Sequence, residues 1–274
     1  MQGLEKKEYL KGKNIDYIYP GPLKKVDEAK ELIQELIDKK VDLIYTITTP
    51  ATKAAMKLTE GTDIPILFGP MMSPIKAGLV KELYSPDNTV TGVRVRGSTE
   101  KALAYLMEIK PNLKAVFVPF HVNNGPAKVS VSDLKKAAKK LGVTVLTKNV
   151  SNAQELLAAM NNIPSQAGAV WVTHSHLIVA NVVKIAEIAN QSNIPVASPV
   201  NQLSKGVLVT YSAQHEAIGE QVSRLADKLL RGVKPQSLPI ETAEFFLGIN
   251  LKVADQLGLE VPSYLKDQAD YIAH

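Results

Sequence analysis

DLIYTITTPATKAAMKLTEGTDIPILFGP, residues 42–70, and AVWVTHSHLIVANVVKIAEIANQSNIPVASP, residues 169–199, are two versions of one pattern. Each runs from a β-branched apolar stretch into a polar turn and then through apolar positions at helical spacing. Each returns through Ile-Pro to a second apolar stretch closed by small residues. Strand, helix and strand joined by short turns form the parallel crossover unit. Sixteen residues separate Thr48 from Ile64 and twenty separate His174 from Ile194, so the second version carries about one more helical turn. A repeated α/β unit predicts two similar lobes with parallel sheets.

The same rhythm extends along the chain. The patterning predicts strands at 15–19, 42–47, 64–68, 90–95, 114–118, 143–148, 168–173, 194–197, 207–211 and 245–249. It predicts helices at 26–39, 50–59, 75–83, 99–109, 130–141, 152–161, 177–191, 214–231, 251–257 and 263–272. The first version belongs to a sheet ending near Val95 and the second to one that begins after helix 99–109. The chain is therefore expected to cross between lobes near Arg96-Gly97 and to return after the strand VLVTY. Residues 1–95 with about 212–239 make the first lobe in this reading, and 96–211 with about 240–274 the second. Several crossings produce a hinge, and two sheets with facing carboxyl edges make a cleft, where ligands of open parallel sheets bind.

Composition narrows the class. A chain of 274 residues is long for one core and suits two. With 45% hydrophobic and 22% charged residues it is globular rather than disordered. The net charge of +5 comes from lysines scattered over many helices without interleaved aromatics, which argues against a nucleic-acid partner. The absence of cysteine removes disulfides, thiolate metal sites and cysteine nucleophiles. No apolar run approaches the roughly 18–20 residues of a membrane span, and MQGLEKKEYLKGKN has no signal-peptide core.

The strand ends carry the candidate site. After the first strand of the repeat, Thr48-Thr49-Pro50 reads as a turn opening a helix, with Thr49 as cap and Pro50 as first helical residue. FGPMMSPIKAGLV repeats the device with Ser73 as cap before Pro74. Two helix starts at one sheet edge would present unpaired amides to a carboxylate or other anion. Phe68, Gly69, Met71, Met72 and Tyr211 are candidates for its walls. In the second lobe, Phe120-His121-Val122-Asn123-Asn124, Thr173-His174-Ser175-His176 and Val200-Asn201-Gln202 follow strands and offer hydrogen-bonding groups, with Phe120 able to stack on a flat ligand.

His174 and His176 invite a metal or catalytic reading. A metal would need more ligands, and these turns hold no Asp, Glu or Cys. A catalytic histidine would want a nucleophile and an orienting acid, and the chain has no Gly-x-Ser-x-Gly elbow and no Gly-Lys-Ser/Thr phosphate loop. Alternation aims the two imidazoles apart, so His176 is expected to start a helix and His174 to line the cleft. No cofactor, metal or catalytic residue is expected.

DLIYTITTPATKAAM, IPILFGPMMSPIKAGLV, VTGV at 90–93, IPVASPV, KGVLVTYSAQHEAIGEQVSRLADKLLRGVKPQSLPIET and INLKVADQLGLEVPSYLKDQADYI follow one another as in a known family. Together they resemble the ABC-transporter substrate-binding proteins of the group that includes tryptophan and tyrosine binders. The resemblance implies a type I periplasmic-binding-protein fold, with two Rossmann-like lobes joined by three crossovers. It also implies a non-enzymatic, periplasmic or other extracytoplasmic role, delivering a small molecule to a membrane permease, and a monomer is expected.

Three departures from the resemblance bear on the ligand. Family members open with a strand and helix ahead of the segment that here reads LEKKEYLKGKNIDYIY, so the first strand of lobe 1 is expected to be missing. Ser73 stands where the family commonly has Asp before the Pro of its Asp-Pro-x-x-Ala-Gly-Leu-Val turn. Thr173-His174-Ser175 stands where it commonly has Thr-Asp-Asn. A buried ammonium needs an acidic or carbonyl partner. The expected solute is therefore neutral or anionic, aromatic or carboxylate in kind, gripped by Thr48, Thr49 and Ser73 at one end and Asn123, His174 and Asn201 at the other. A ligand-sensing domain of a signalling system and an enzyme on a doubly wound sheet are the alternatives.

Overall fold

Helices and strands alternate along the computed structural model, which describes residues 1–21, 25–84, 89–96 and 98–274. The chain opens with α1 (Gln2–Glu5), α2 (Val26–Asp38), β1 (Ile44–Thr46), α3 (Thr49–Leu58), β2 (Ile66–Met71) and β3 (Val90–Arg94). It continues through α4 (Ser98–Ile109), β4 (Ala115–Phe120), α5 (Gly125–Leu141), β5 (Thr144–Asn149), α6 (Ala153–Met160) and β6 (Ala169–Trp171). Next come α7 (His176–Ala180), α8 (Val182–Gln191), β7 (Val196–Ser198), β8 (Val209–Ala213) and α9 (His215–Leu230). Last are β9 (Glu241–Thr242), β10 (Phe245–Asn250), α10 (Leu251–Gln256), α11 (Ser263–Gln268) and β11 (Tyr271–Ala273).

Two compact units result. One comprises Met1–Arg96 with His215–Glu244, the other Gly97–Gln214 with Phe245–His274, so the chain passes between them three times. Gly97, at the first expected crossing, lies outside the described residues.

The first unit holds a four-stranded parallel sheet in the order β1-β2-β3-β9. Ile33 of α2 and Ala55 of α3 pack with Ile44, Ile66, Phe68 and Val90 into its core. The two-residue β9 is held by the buried Gln221 of α9. Its Nε2 donates to the Thr242 carbonyl at 3.1 Å, and its Oε1 accepts from the Glu244 amide at 3.3 Å. At the amino end, α1 lies along α9, tied by Lys6 to Glu220 and by the Tyr9 hydroxyl to Asp227 at 3.0 Å.

The second unit has seven strands in the order β11-β10-β8-β7-β6-β4-β5. All neighbours run parallel except β10 and β8. Alternate residues enter two cores. Val116, Val118 and Trp171 pack with α4 and α5 on one face, while Phe117, Val170 and Val172 pack with α6 and α8 on the other. Burial on both faces is why AVFVP reads as an unbroken apolar run.

Several expectations need correction. Residues 15–19 form no strand, only a bridge from Lys11 to Ile15, because no neighbouring strand supplies a ladder. Residues 75–83 are not a helix: 74–78 make a turn in which the Ala77 amide donates to the Ser73 carbonyl, and Gly78 at φ +70° turns the chain away. α5 begins at Gly125, five residues earlier than the apolar spacing suggests, because Asn124 caps it. The helix expected over 177–191 is broken at Asn181, whose side chain donates to the Leu177 carbonyl at 2.8 Å. The last helix stops at Gln268 and the chain enters β11, since the Asp270 carboxylate accepts from the Leu247 amide of the adjoining strand at 2.7 Å.

Candidate functional site

In the first unit the carboxyl ends of β1 and β2 are neighbours, which brings Thr48, Thr49 and Ser73 to one sheet edge. Thr48, not Thr49, is the cap of α3: its hydroxyl accepts from the Ala51 amide at 3.4 Å, and Thr49 and Pro50 open the helix. Below it, Thr46 and Thr52 share a hydrogen bond of 2.8 Å and Thr52 donates to the Thr48 carbonyl, fixing the turn. Thr49 is partly exposed.

Ser73 caps no helix, since none follows it, and the expected second cluster of helix amides is absent there. Instead its hydroxyl accepts from Arg96 Nη1 at 3.1 Å. Arg96 therefore brings a guanidinium to this edge, a cation that the sequence reading treated only as a crossover residue.

Phe68 is fully buried in the first core and Met71 is 6% exposed, so both are packing residues rather than walls. Phe68 has no alternative, because it fills the space beside Gly92. Met72 is partly exposed. Gly69 is buried, and its carbonyl accepts from the Tyr45 hydroxyl.

In the second unit the adjacent parallel strands β4, β6 and β7 bring three turns to one edge. Asn124 is committed to its cap, accepting from the Ala127 amide at 2.9 Å, and the His121 carbonyl accepts from the Asn124 amide. The Val122 amide donates to Asn149 Oδ1 at 3.1 Å, which pins this turn to the edge strand β5. The His121 side chain is partly buried, whereas Asn123 and Asn201 are exposed. Phe120 packs partly against the core beneath α5. Tyr211 belongs to an aromatic cluster: Phe245 stacks on it at 5.7 Å, Tyr105 meets it edge-on at 5.4 Å, and Lys101 lies over its ring at 5.2 Å.

His174 Nδ1 lies 3.3 Å from the hydroxyl of Ser130, a buried residue of α5. Burial pushes the imidazole pKa down, and the nearby Asp133 carboxylate opposes this only in part. His174 is therefore neutral at pH 7. The folded state takes up this proton less readily than the unfolded chain. Stability is thus fully present above the ordinary imidazole value of about 6.5 and falls as the pH drops from there toward the depressed folded value. His174→Asn is expected to flatten the fall in thermal midpoint measured between about pH 7.5 and 5. An unchanged slope would mean that other groups carry it.

Two groups at this edge lack partners among the described residues. Ser175 is 5% exposed and Gln202 9% exposed, and neither Ser175 Oγ nor Gln202 Oε1 has a hydrogen bond. Such buried polar atoms ordinarily find a protein group, a water or a ligand. Ser175 was among the residues expected at this edge. Gln202 was named within its turn but Asn201 was preferred to it, although burial belongs to the glutamine. Ser130 and Asp133 lie on a helix and left no turn signal.

His176 begins α7 and is exposed. Among the described residues no three His, Asp or Glu side chains converge on a metal-sized site, and no helix is long and apolar enough to cross a membrane.

Relatives extend over the whole architecture. A tyrosine-binding protein of Clostridioides difficile is 29% identical over 245 residues, 89% of this chain and 70% of its own length. A ligand-free, open substrate-binding protein with adhesive properties from Clostridium difficile is 27% identical. It superposes with a TM-score of 0.83 over 99% of this chain and 92% of its own. An ABC domain from Streptococcus pneumonia in complex with L-Trp, 23% identical, shares the fold with a TM-score of 0.79 over 99% and 92% of the two chains. These neighbours share the type I periplasmic-binding-protein fold. The family described as ABC transporter substrate binding protein matches residues 1–272, and the chain belongs to that family.

Proposed function

We propose that this substrate-binding protein takes a small solute bearing a carboxylate or similar anionic group, and that the carboxyl sheet edge of the first unit holds that group. The observation that carries the reading is the guanidinium of Arg96 beside Ser73, at the turn where the resemblance leads one to expect an acid. Arg96 and Thr49 would hold the anionic end, because guanidinium matches carboxylate geometry. At the sheet edge of the second unit, neutral His174 with Ser175 Oγ and Gln202 Oε1 as orphaned hydrogen-bonding groups offers uncharged polar contacts. Membership in the family implies a small-molecule ligand and a permease in the membrane. The protein acts in this proposal without turnover, as a monomer outside the cytoplasm.

The second reading is a zwitterionic aromatic amino acid, favoured by the relatives' names and by the Asp133 carboxylate near His174. Calorimetric titration with tyrosine, tryptophan and their deaminated carboxylates separates the two. The acids are expected to bind, and Arg96→Ala to weaken them roughly 10- to 100-fold, the usual worth of a hydrogen bond to a charged group. Submicromolar binding of either amino acid would overturn the proposal in favour of the second reading.

A further inference from the structure

The outer face of α5 has no part in that site. Lys128, Lys135, Lys136 and Lys139 are all exposed and border a shallow groove of about 520 Å3 beside Phe120. Their spacing places them in one stripe about 17 Å long, at 1.5 Å rise per residue. No carboxylate lines the groove, and none of the four pairs with an acid among the described residues. A fifth lysine, Lys140, is bonded to Glu100 at 2.8 Å. Asp133, the only acid of the helix, acts on His174 and does not line the groove. The opposite side of α5 is rigidly seated through Leu134, Ala137 and Ala138.

We propose that this stripe is a docking surface for an anionic phospholipid bilayer, its ammonium groups meeting the headgroup phosphates. Four like charges held within about one Debye length of their neighbours repel one another, and an opposing anionic surface relieves that repulsion. Lysines carry compact charges without the planar fork that selects single carboxylates, which suits a lattice of phosphates. The choice of a bilayer over another phosphate source rests on the family's place beside a membrane permease, whereas the stripe rests on its own geometry.

Vesicle flotation with the full chain tests it. Protein is expected to float with phosphatidylcholine vesicles containing about one-third phosphatidylglycerol at low salt, and to stay in solution with phosphatidylcholine alone or at high salt. Each lysine contributes about fivefold, so K128Q/K135Q/K136Q/K139Q should lower partitioning by nearly three orders of magnitude, roughly 600-fold. A control, K53Q/K57Q/K252Q/K266Q, loses the same charge elsewhere and should lose far less. Unchanged circular dichroism certifies that both variants fold. Equal losses in the two variants, or wild-type protein that ignores anionic vesicles yet binds soluble polyphosphate, would overturn the proposal. Neither outcome touches solute binding, which calorimetry without vesicles reads separately.

Discussion

Gly92→Ala should lower the stability of the first unit by about 3 kcal/mol, the upper part of the usual range for overfilling a packed core. At Gly92 an added Cβ would lie 2.1 Å from the Phe68 carbonyl oxygen, far inside van der Waals contact, and against the Phe68 ring. The carbonyl belongs to the neighbouring strand at the position paired with Gly92, so relief requires the strands to separate. For a unit of this size the thermal midpoint should fall by roughly 8 °C. Thr91→Val, which removes only the 3.2 Å bond from the Thr91 hydroxyl to the Pro239 carbonyl, should cost about 1 kcal/mol. If Gly92→Ala melted like the wild type, the close approach of β2 and β3 described above would be wrong. The substitution also bears on function, because Gly69, Ser73 and Arg96 follow along the same two strands.

Trp171→Ala should cost the second unit about 3–5 kcal/mol. The indole is fully buried in β6 among residues of α4 and α5, and its Nε1 has no acceptor among the described residues. That orphaned donor separates two substitutions. Trp171→Phe leaves a smaller cavity and also removes a buried unpaired N–H, a group that costs about 1–3 kcal/mol, so its net effect should be about 1 kcal/mol or less. Denaturant unfolding followed by circular dichroism measures both variants. A phenylalanine variant as unstable as the alanine one would show that the indole has a bonded partner. Since the chain has a single tryptophan, wild-type fluorescence excited selectively at the indole reports on the second unit, three residues from His174.

How much of this could be read beforehand follows from what each residue needed to know. The pattern shared by 42–70 and 169–199 exposed its strands because both faces of a parallel sheet are buried, and continuous Val, Ile and Leu runs record that locally. IDYIY has the same local character, yet forms no strand, because a ladder is a property of two segments. β9 went the other way: Glu241-Thr242 carries no strand signal, and it is Gln221, twenty residues earlier, that holds it in place. The turn residues of the candidate site were legible as strand-end polar groups, but their occupations were not. Asn124 was spent as a cap, and Phe68 lies in the core beside a glycine on another strand. Arg96, Ser130 and Asp133 were missed because their meaning comes only from Ser73 and His174, which are distant in sequence.

Each unit draws on two separate lengths of chain, and this dictates when either one can be finished. The first sheet waits for β9 near residue 242, and the second waits for β10 and β11 at the extreme carboxyl end. A polypeptide emerging amino end first thus has neither complete sheet until residues near 242 and 273 are free, so the two units finish folding almost together.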